Sequence, residues 1–271
     1  MKALPLPDAL AVQPRPAATT LILRDGDEGL EVLMVRRSLE ARFMPGAHVF
    51  PGGAVDAEDG SAEHATACDE SPEALALRVG GPTGTGAAAL AFAVAALRET
   101  FEECGLWLGA SVPPPGLSAR RAQLREGALL ARLANAAGEC LRTTALVPWS
   151  HWVTPLGLHR RFDTVFFVAG APPGQTPLVD AGETTALAWV HPPRALSLHA
   201  EGGFPMEFAT VTTVRSLVPF AAGPVSAVLD HAARLRDLAP VHPRLELGEA
   251  RSIRRVLLPG EPGYDTAELR D

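Results

Sequence analysis

The chain has 271 residues, 47% of them hydrophobic, and carries a formal net charge of −7. Such a composition supplies ample core for a globular protein and excludes a disordered chain. With no basic run in the sequence, neither nucleic acid nor an anionic membrane is expected as the main partner.

The first twenty residues carry prolines and an aspartate where a secretory signal needs an unbroken apolar stretch, and no segment reaches eighteen consecutive apolar residues. Cys68, Cys104 and Cys140 are scattered and odd in number, a pattern suited to a reducing compartment. A cytoplasmic location is the resulting expectation.

The runs "AATTLILRD" (17–25) and "LEVLMVRRS" (30–38) flank a Gly/Asp cluster and predict a β-hairpin. "AHVFPGGAVD" reads as a short strand entering a Pro-Gly-Gly turn, where glycines allow a close backbone approach. Residues from about 60 to 87, rich in Ala, Glu, Asp, Gly and Ser, look like an insertion with one short helix near Pro72–Arg78. "AAALAFAVAALRETFEEC" then predicts the clearest helix, its stripe of Leu90, Val94, Leu97 and Phe101 lying within about 60°.

Residues 118–141 are expected to form a second helical stretch. "SHWVTP", "FDTVFFVAG" and "TALAWVHP" are expected as strands, residues 206–238 as a helical tail, and "RSIRRVLLPGEPGYD" as an extended terminal segment. His48, His151, His159 and His191 lack metal-ligand spacing and suit core or surface roles. Trp149, Trp152 and Trp189 suit the core or a pocket wall.

The predicted long helix ends against its own dipole. Glu99, Glu102 and Glu103 occupy its last turns, where carboxylates cost very roughly 0.3–1 kcal/mol each, and Glu99 repels Glu103 at i, i+4. On the helical wheel the three lie about 100° to 200° from Phe101, an arc opposite the buried stripe. Arg98 can pair with Glu102 at i, i+4. A hard divalent cation such as Mg²⁺ or Mn²⁺ would remove the remaining penalty.

The segment "RETFEECGL" resembles the second half of the Nudix box, with Arg98, Glu99, Glu102, Glu103, Gly105 and Leu106 matching and Thr100 departing from the bulky aliphatic position. "FPGGAVDAED" resembles the first half, with Asp59 at its first acidic position. Between Asp59 and Arg98 lie 38 residues where the box has seven. Closing the longer loop costs only about 1.5 kcal/mol, though an insertion of this size could carry Asp59 away. Upstream, "RSLEARFMPGAHVFPGG" is similar to the motif of Nudix enzymes that cleave coenzyme A, and the split box resembles the peroxisomal CoA diphosphatases.

The resemblance implies one α+β domain over 1–271, a Nudix α/β/α sandwich with a mixed sheet and additional helices from the insertion and from a C-terminal extension at about 204–240. It implies metal-dependent hydrolysis of CoA or acyl-CoA to 3′,5′-ADP and (acyl-)4′-phosphopantetheine. Glu99, Glu102, Glu103 and the Gly52 carbonyl become metal ligands, Arg98 a positioning residue, and Glu102 or Glu183 the general base. Arg37 and Arg42 become phosphate contacts, and Gly53 part of the substrate-binding turn. A Nudix hydrolase of ADP-ribose or NADH, or a non-catalytic ligand-binding protein of the same fold, are the competing expectations.

Overall fold

The β-prone runs near the start of the chain form the hairpin their spacing predicts. The computed structural model describes residues 12–40, 44–80, 85–110, 113–179, 184–235, 238–249 and 252–267. In it β1 spans Arg15–Gly26 and β2 spans Gly29–Arg37, paired antiparallel through a tight turn. "AHVFPGGAVD" gives two short strands, β3 (His48–Val49) and β4 (Gly52–Ala54), where one was expected. The Pro-Gly-Gly turn switches partners: β3 pairs with β2, and β4 with β1.

The insertion carries more structure than expected. Besides α2 (Pro72–Val79), opened by the Ser71 cap and Pro72, it contains α1 (Ala62–Ala67), capped by Ser61. The rest of its loop, residues 81–84, lies outside the described residues. Next comes α3 (Gly86–Cys104), whose alanine-rich run favours helix. The Thr85 side chain accepts from the Ala88 N–H, and Gly105 ends the helix in the left-handed region at φ 68°.

The stretch expected as one helix at 118–141 is two, α4 (Leu117–Arg125) and α5 (Leu130–Ala137), because Gly127 turns the chain at φ 94°. β5 (Val147–Val153), β6 (Phe162–Gly170) and β7 (Thr184–Val190) follow. The "HP" that ends the expected strand "TALAWVHP" instead opens α6 (Pro192–Ala200), since proline is well tolerated in a first helical turn. The expected tail is broken by Pro219 and by Gly223–Pro224 into α7 (Phe208–Leu217) and α8 (Val225–Ala232). The terminal segment supplies β9 (Ile253–Leu257), paired with β8 (Arg244–Leu247), which the sequence reading missed.

Seven strands form a mixed sheet with the path β3-β2-β1-β6-β5; β4 also pairs with β1 and β7 with β2. Among the described strands only β1 and β6 pair in parallel. The two-residue period of β6 divides the core. Val165, Phe167 and Ala169 pack with α3, α2, α4 and α5, whereas Phe166 and Val168 face the layer containing Val214 and Val228 of α7 and α8. Helices on both faces make the expected α/β/α sandwich.

Candidate active site

The site is built where the end of α3 meets the Pro-Gly-Gly turn. The Thr20 N–H donates to the Pro51 carbonyl at 2.9 Å, and the Gly52 N–H donates to Glu103 Oε2 at 3.1 Å, joining sheet, turn and helix. The backbone requires glycine at Gly52, and at Gly53 a side chain would displace the Glu99 carboxylate. A Cβ on Gly52 would come within 2.5 Å of the Ala18 carbonyl oxygen, and one on Gly53 within 2.4 Å of Glu99 Oε1.

Arg98 organises the acids. Its Nε and Nη2 donate to Asp59 Oδ1 and Oδ2 at 3.0 and 2.9 Å, its Nη1 donates to Glu99 at 2.8 Å and Glu102 at 3.2 Å, and Nη2 also donates to the Ala54 carbonyl at 3.0 Å. The bidentate fork to a carboxylate adds strength and direction. Asp59 is fully buried and stays beside the helix despite the insertion, because its Oδ2 also accepts from the Asp56 N–H at 2.8 Å and fixes the 3-10 turn at Ala57–Gly60.

The helical wheel misleads at one point. The acidic arc is not a solvated face: Glu103 is only 6% exposed, and Thr100 is completely buried. The helix is enclosed on two sides, by β1 and β4 and by α2 and the 3-10 turn. Burial has electrostatic consequences. It pushes the Glu99 carboxyl up to about 7 despite the neighbouring Arg98 charge, with Glu102 and Asp59 adding to the rise. Burial likewise raises Glu102, against the opposing pull of Arg98. For Arg98, burial opposes the charge, but the bonds to Asp59 and the charges of Glu99, Asp59 and Glu102 outweigh it and hold the guanidinium more firmly protonated.

The helix end has two further cations that the sequence reading missed. Arg121 Nε and Arg125 Nη2, both from α4, donate to the Glu102 carbonyl at 2.9 and 3.3 Å. They occupy an otherwise exposed acceptor in the last turn and place positive charge where the dipole favours it. Arginines on a following helix were the only available signal.

Glu99, Glu103, Gly52, Gly53 and Arg37 line one cleft of about 430 Å³, as their proposed roles require. Its floor is formed by alternate residues of β1 and β6, and Arg15 and Arg160, not singled out from sequence, stand along it. Glu102 does not line this cleft and is turned to Arg98. Arg42 and Glu183 lie outside the described residues. Of the four histidines, His48 stacks on Phe204 and His151 bonds Asp163, both buried, while His159 is exposed and His191 partly buried.

Among the described residues no three acidic, histidine or cysteine side chains already converge on one point. Glu103 is held by the Gly52 N–H, and Glu99 and Glu102 by Arg98. The donor chemistry nevertheless fits a hard cation. Four carboxylates, Asp56, Asp59, Glu99 and Glu102, surround one guanidinium with Glu103 one residue on from Glu102, and the Glu99 anion is poorly stabilised by the protein alone.

This fold, with a split acidic motif on a sandwiched helix, defines a Nudix protein. The structure is similar to the crystal structure of a Nudix hydrolase from Alicyclobacillus acidocaldarius, at 28% identity and a TM-score of 0.65, covering 84% of this chain and 99% of that one. Residues 10–207 match the NUDT19 Nudix domain family, and the chain belongs to it. It is 33% identical over 210 residues to the acyl-coenzyme A diphosphatase NUDT19 of Gallus gallus, covering 61% of this chain and 55% of the relative. It is 34% identical over 208 residues to the protein of that name from Homo sapiens, covering 62% and 55%. The chain therefore spans about half the length of the curated relatives it matches. Nudix hydrolases generally need divalent cations, in keeping with the oxygen-rich donor set.

Proposed function

We propose that this protein is a Nudix diphosphohydrolase that cleaves CoA or acyl-CoA to 3′,5′-ADP and (acyl-)4′-phosphopantetheine, using Mg²⁺ or Mn²⁺. The observation that carries the reading is the single cleft in which Glu99, Glu103 and the Gly52–Gly53 turn stand with Arg37 of the upstream motif. The relatives named acyl-coenzyme A diphosphatases support the substrate class.

Glu99 and Glu103, with Glu102 next to them, would hold the cation. When bound it neutralises phosphoryl charge and makes a coordinated water acidic enough to attack. Arg98, anchored on Asp59, keeps Glu99 and Glu102 in position, while Arg37 faces the anionic substrate. The partial burial of Glu99 and Glu102 and the burial of Glu103 strengthen their interaction with an added charge. Glu102 is the general base in this reading, with Glu183 as the second candidate. The three unpaired cysteines support a reducing, cytoplasmic setting.

The deciding experiment is a substrate panel of CoA, acyl-CoA, ADP-ribose and NADH with Mg²⁺ and with Mn²⁺, the products identified by mass. Release of 3′,5′-ADP with CoA or acyl-CoA as the best substrate is expected. Faster cleavage of ADP-ribose or NADH would replace the substrate assignment.

A further inference from the structure

The cleft is longer than its catalytic end. Thr19 pairs with Gly52 and Ala18 with Gly53, so the Pro-Gly-Gly turn sits at that level of β1. In the opposite direction β1 runs back through Ala17 to Arg15, four residues and about 13 Å from Thr19. Parallel pairing with β6 sets Arg15 against Phe162, Ala17 against Thr164 and Thr19 against Phe166. Arg160 lies two residues before Phe162. The Arg15 N–H donates to the Arg161 carbonyl at 2.9 Å, which fixes the start of β1 against the chain leading into β6.

Arg15 and Arg160 therefore stand together at the far rim, and both line the cleft that holds Glu99 and Glu103. Their opposition to the acids gives the cleft two electrostatic ends. Arg15 is exposed and, among the described carboxylates, pairs only with the similarly exposed Asp56, at 3.5 Å, which also lies 3.6 Å from Arg98. Arg160 is exposed, and no ion pair to it is found among the described residues. Between Phe162 at the rim and Phe166 at the level of the turn, the floor carries the small side chains of Ala17, Thr164 and Thr19, which leave a trough. Arg37 belongs to β2, on the other side of β1 from β6, so it flanks the turn and not this rim.

A ligand that spans the cleft needs a phosphoryl group at the acidic end and a second anion about one nucleoside away. We propose that Arg15 and Arg160 form the subsite for that second anion, the 3′-phosphate of a nucleoside 3′,5′-bisphosphate. The assignment rests on the diphosphatase reading above and deepens it: it places 3′-phosphate recognition at the junction of β1 and β6 and leaves Arg37 beside the turn. Two guanidinium forks suit the oxygens of a phosphate monoester. A diphosphate substrate with an unmodified ribose offers nothing to this rim.

Two measurements test it. Calorimetry compares 3′,5′-ADP with 5′-AMP on wild type, Arg160→Ala, and Arg15→Ala/Arg160→Ala. Kinetics compares kcat/KM for CoA and dephospho-CoA on the same proteins, with Arg37→Ala alongside. Wild type should prefer 3′,5′-ADP roughly ten- to a hundredfold, as the loss of charge-assisted bonds implies. The preference should fall in the single variant and approach one in the double variant, with the CoA to dephospho-CoA ratio following it through KM. Arg160→Lys should restore part of it. Equal affinity of wild type for both nucleotides overturns the subsite. A preference that survives in the double variant and disappears in Arg37→Ala also overturns it and returns the role to the motif arginine. If the nucleotide preference responds as expected while CoA is not cleaved, the subsite stands and the diphosphatase reading fails. If CoA is cleaved with an unchanged ratio, the reverse holds.

Discussion

Replacing Asp59 with Asn isolates the contact that joins the split halves of the acidic motif. The wild-type carboxylate uses Oδ1 for Arg98 Nε and Oδ2 for both Arg98 Nη2 and the Asp56 N–H. Asparagine keeps one oxygen, so its amide N–H₂ must face either a guanidinium N–H or a backbone N–H. The position is 1% exposed, and no water can mend the mismatch cheaply. Removing one partner of a buried ion pair costs about 3–5 kcal/mol. Glu99 and Glu102 continue to hold Arg98, which places Asp59→Asn near the lower end, about 3 kcal/mol. At 2–4 °C per kcal/mol for a chain of this size, that lowers Tm by roughly 6–12 °C. Urea denaturation without metal reads the loss directly. Glu102→Gln, which breaks one 3.2 Å contact on a more exposed side chain, should cost under about 1 kcal/mol in the same assay. A loss below about 1 kcal/mol for Asp59→Asn, or an equal loss for the two variants, would refute the anchoring role assigned to Asp59.

Glu103→Gln should lower turnover on the best substrate by roughly 10²-fold, and Mg²⁺ should raise its Tm less than that of wild type; an identical metal response would place the cation elsewhere. Gly53→Ala should displace the Glu99 carboxylate and weaken metal binding with little loss of stability, whereas Gly52→Ala, which meets backbone, should lower Tm clearly; titration with Mn²⁺ alongside thermal melts separates them. Because the folded-state pKa of Glu99 is raised to about 7 from 4.5, its contribution favours the folded metal-free protein fully below pH 4.5 and is lost as pH rises through 7. The difference is about 3 kcal/mol. The stability of Glu99→Gln should therefore fall less steeply between pH 5 and 7.5, and an unchanged slope in urea melts would contradict the burial argument.

What was legible depended on how locally each feature is encoded. The long acidic helix showed itself through its alanines and its stripe of Leu90, Val94, Leu97 and Phe101, and the Arg98–Glu102 pair followed from helical spacing alone. Asp59 could be matched to Arg98 only by resemblance, because nothing in a 38-residue separation says that the loop returns. The burial of Glu103 escaped the wheel, which assumes a single buried face, while α3 is covered by the insertion as well as the sheet. Arg15 and Arg160 gave no signal at all: their meeting depends on the parallel pairing of β1 with β6, a property of tertiary topology. The breaks at Gly127 and at Gly223–Pro224 are visible as residue types, but the helical composition on either side of them points to unbroken helices.

The cleft floor also has consequences for how this protein can diverge. Arg15, Ala17 and Thr19 face the cleft because β1 keeps a two-residue period in fixed register with β6. Adding one residue between Ala18 and Thr19 would turn Arg15 and Ala17 through the sheet and present Pro16 and Ala18 in their place. Ligand preference along the floor is thus open to gradual revision by point substitution, while length changes in β1 are barred unless they come in pairs. Inherited variation here should alter what the trough holds without altering its pitch, much as notes change on a fixed stave.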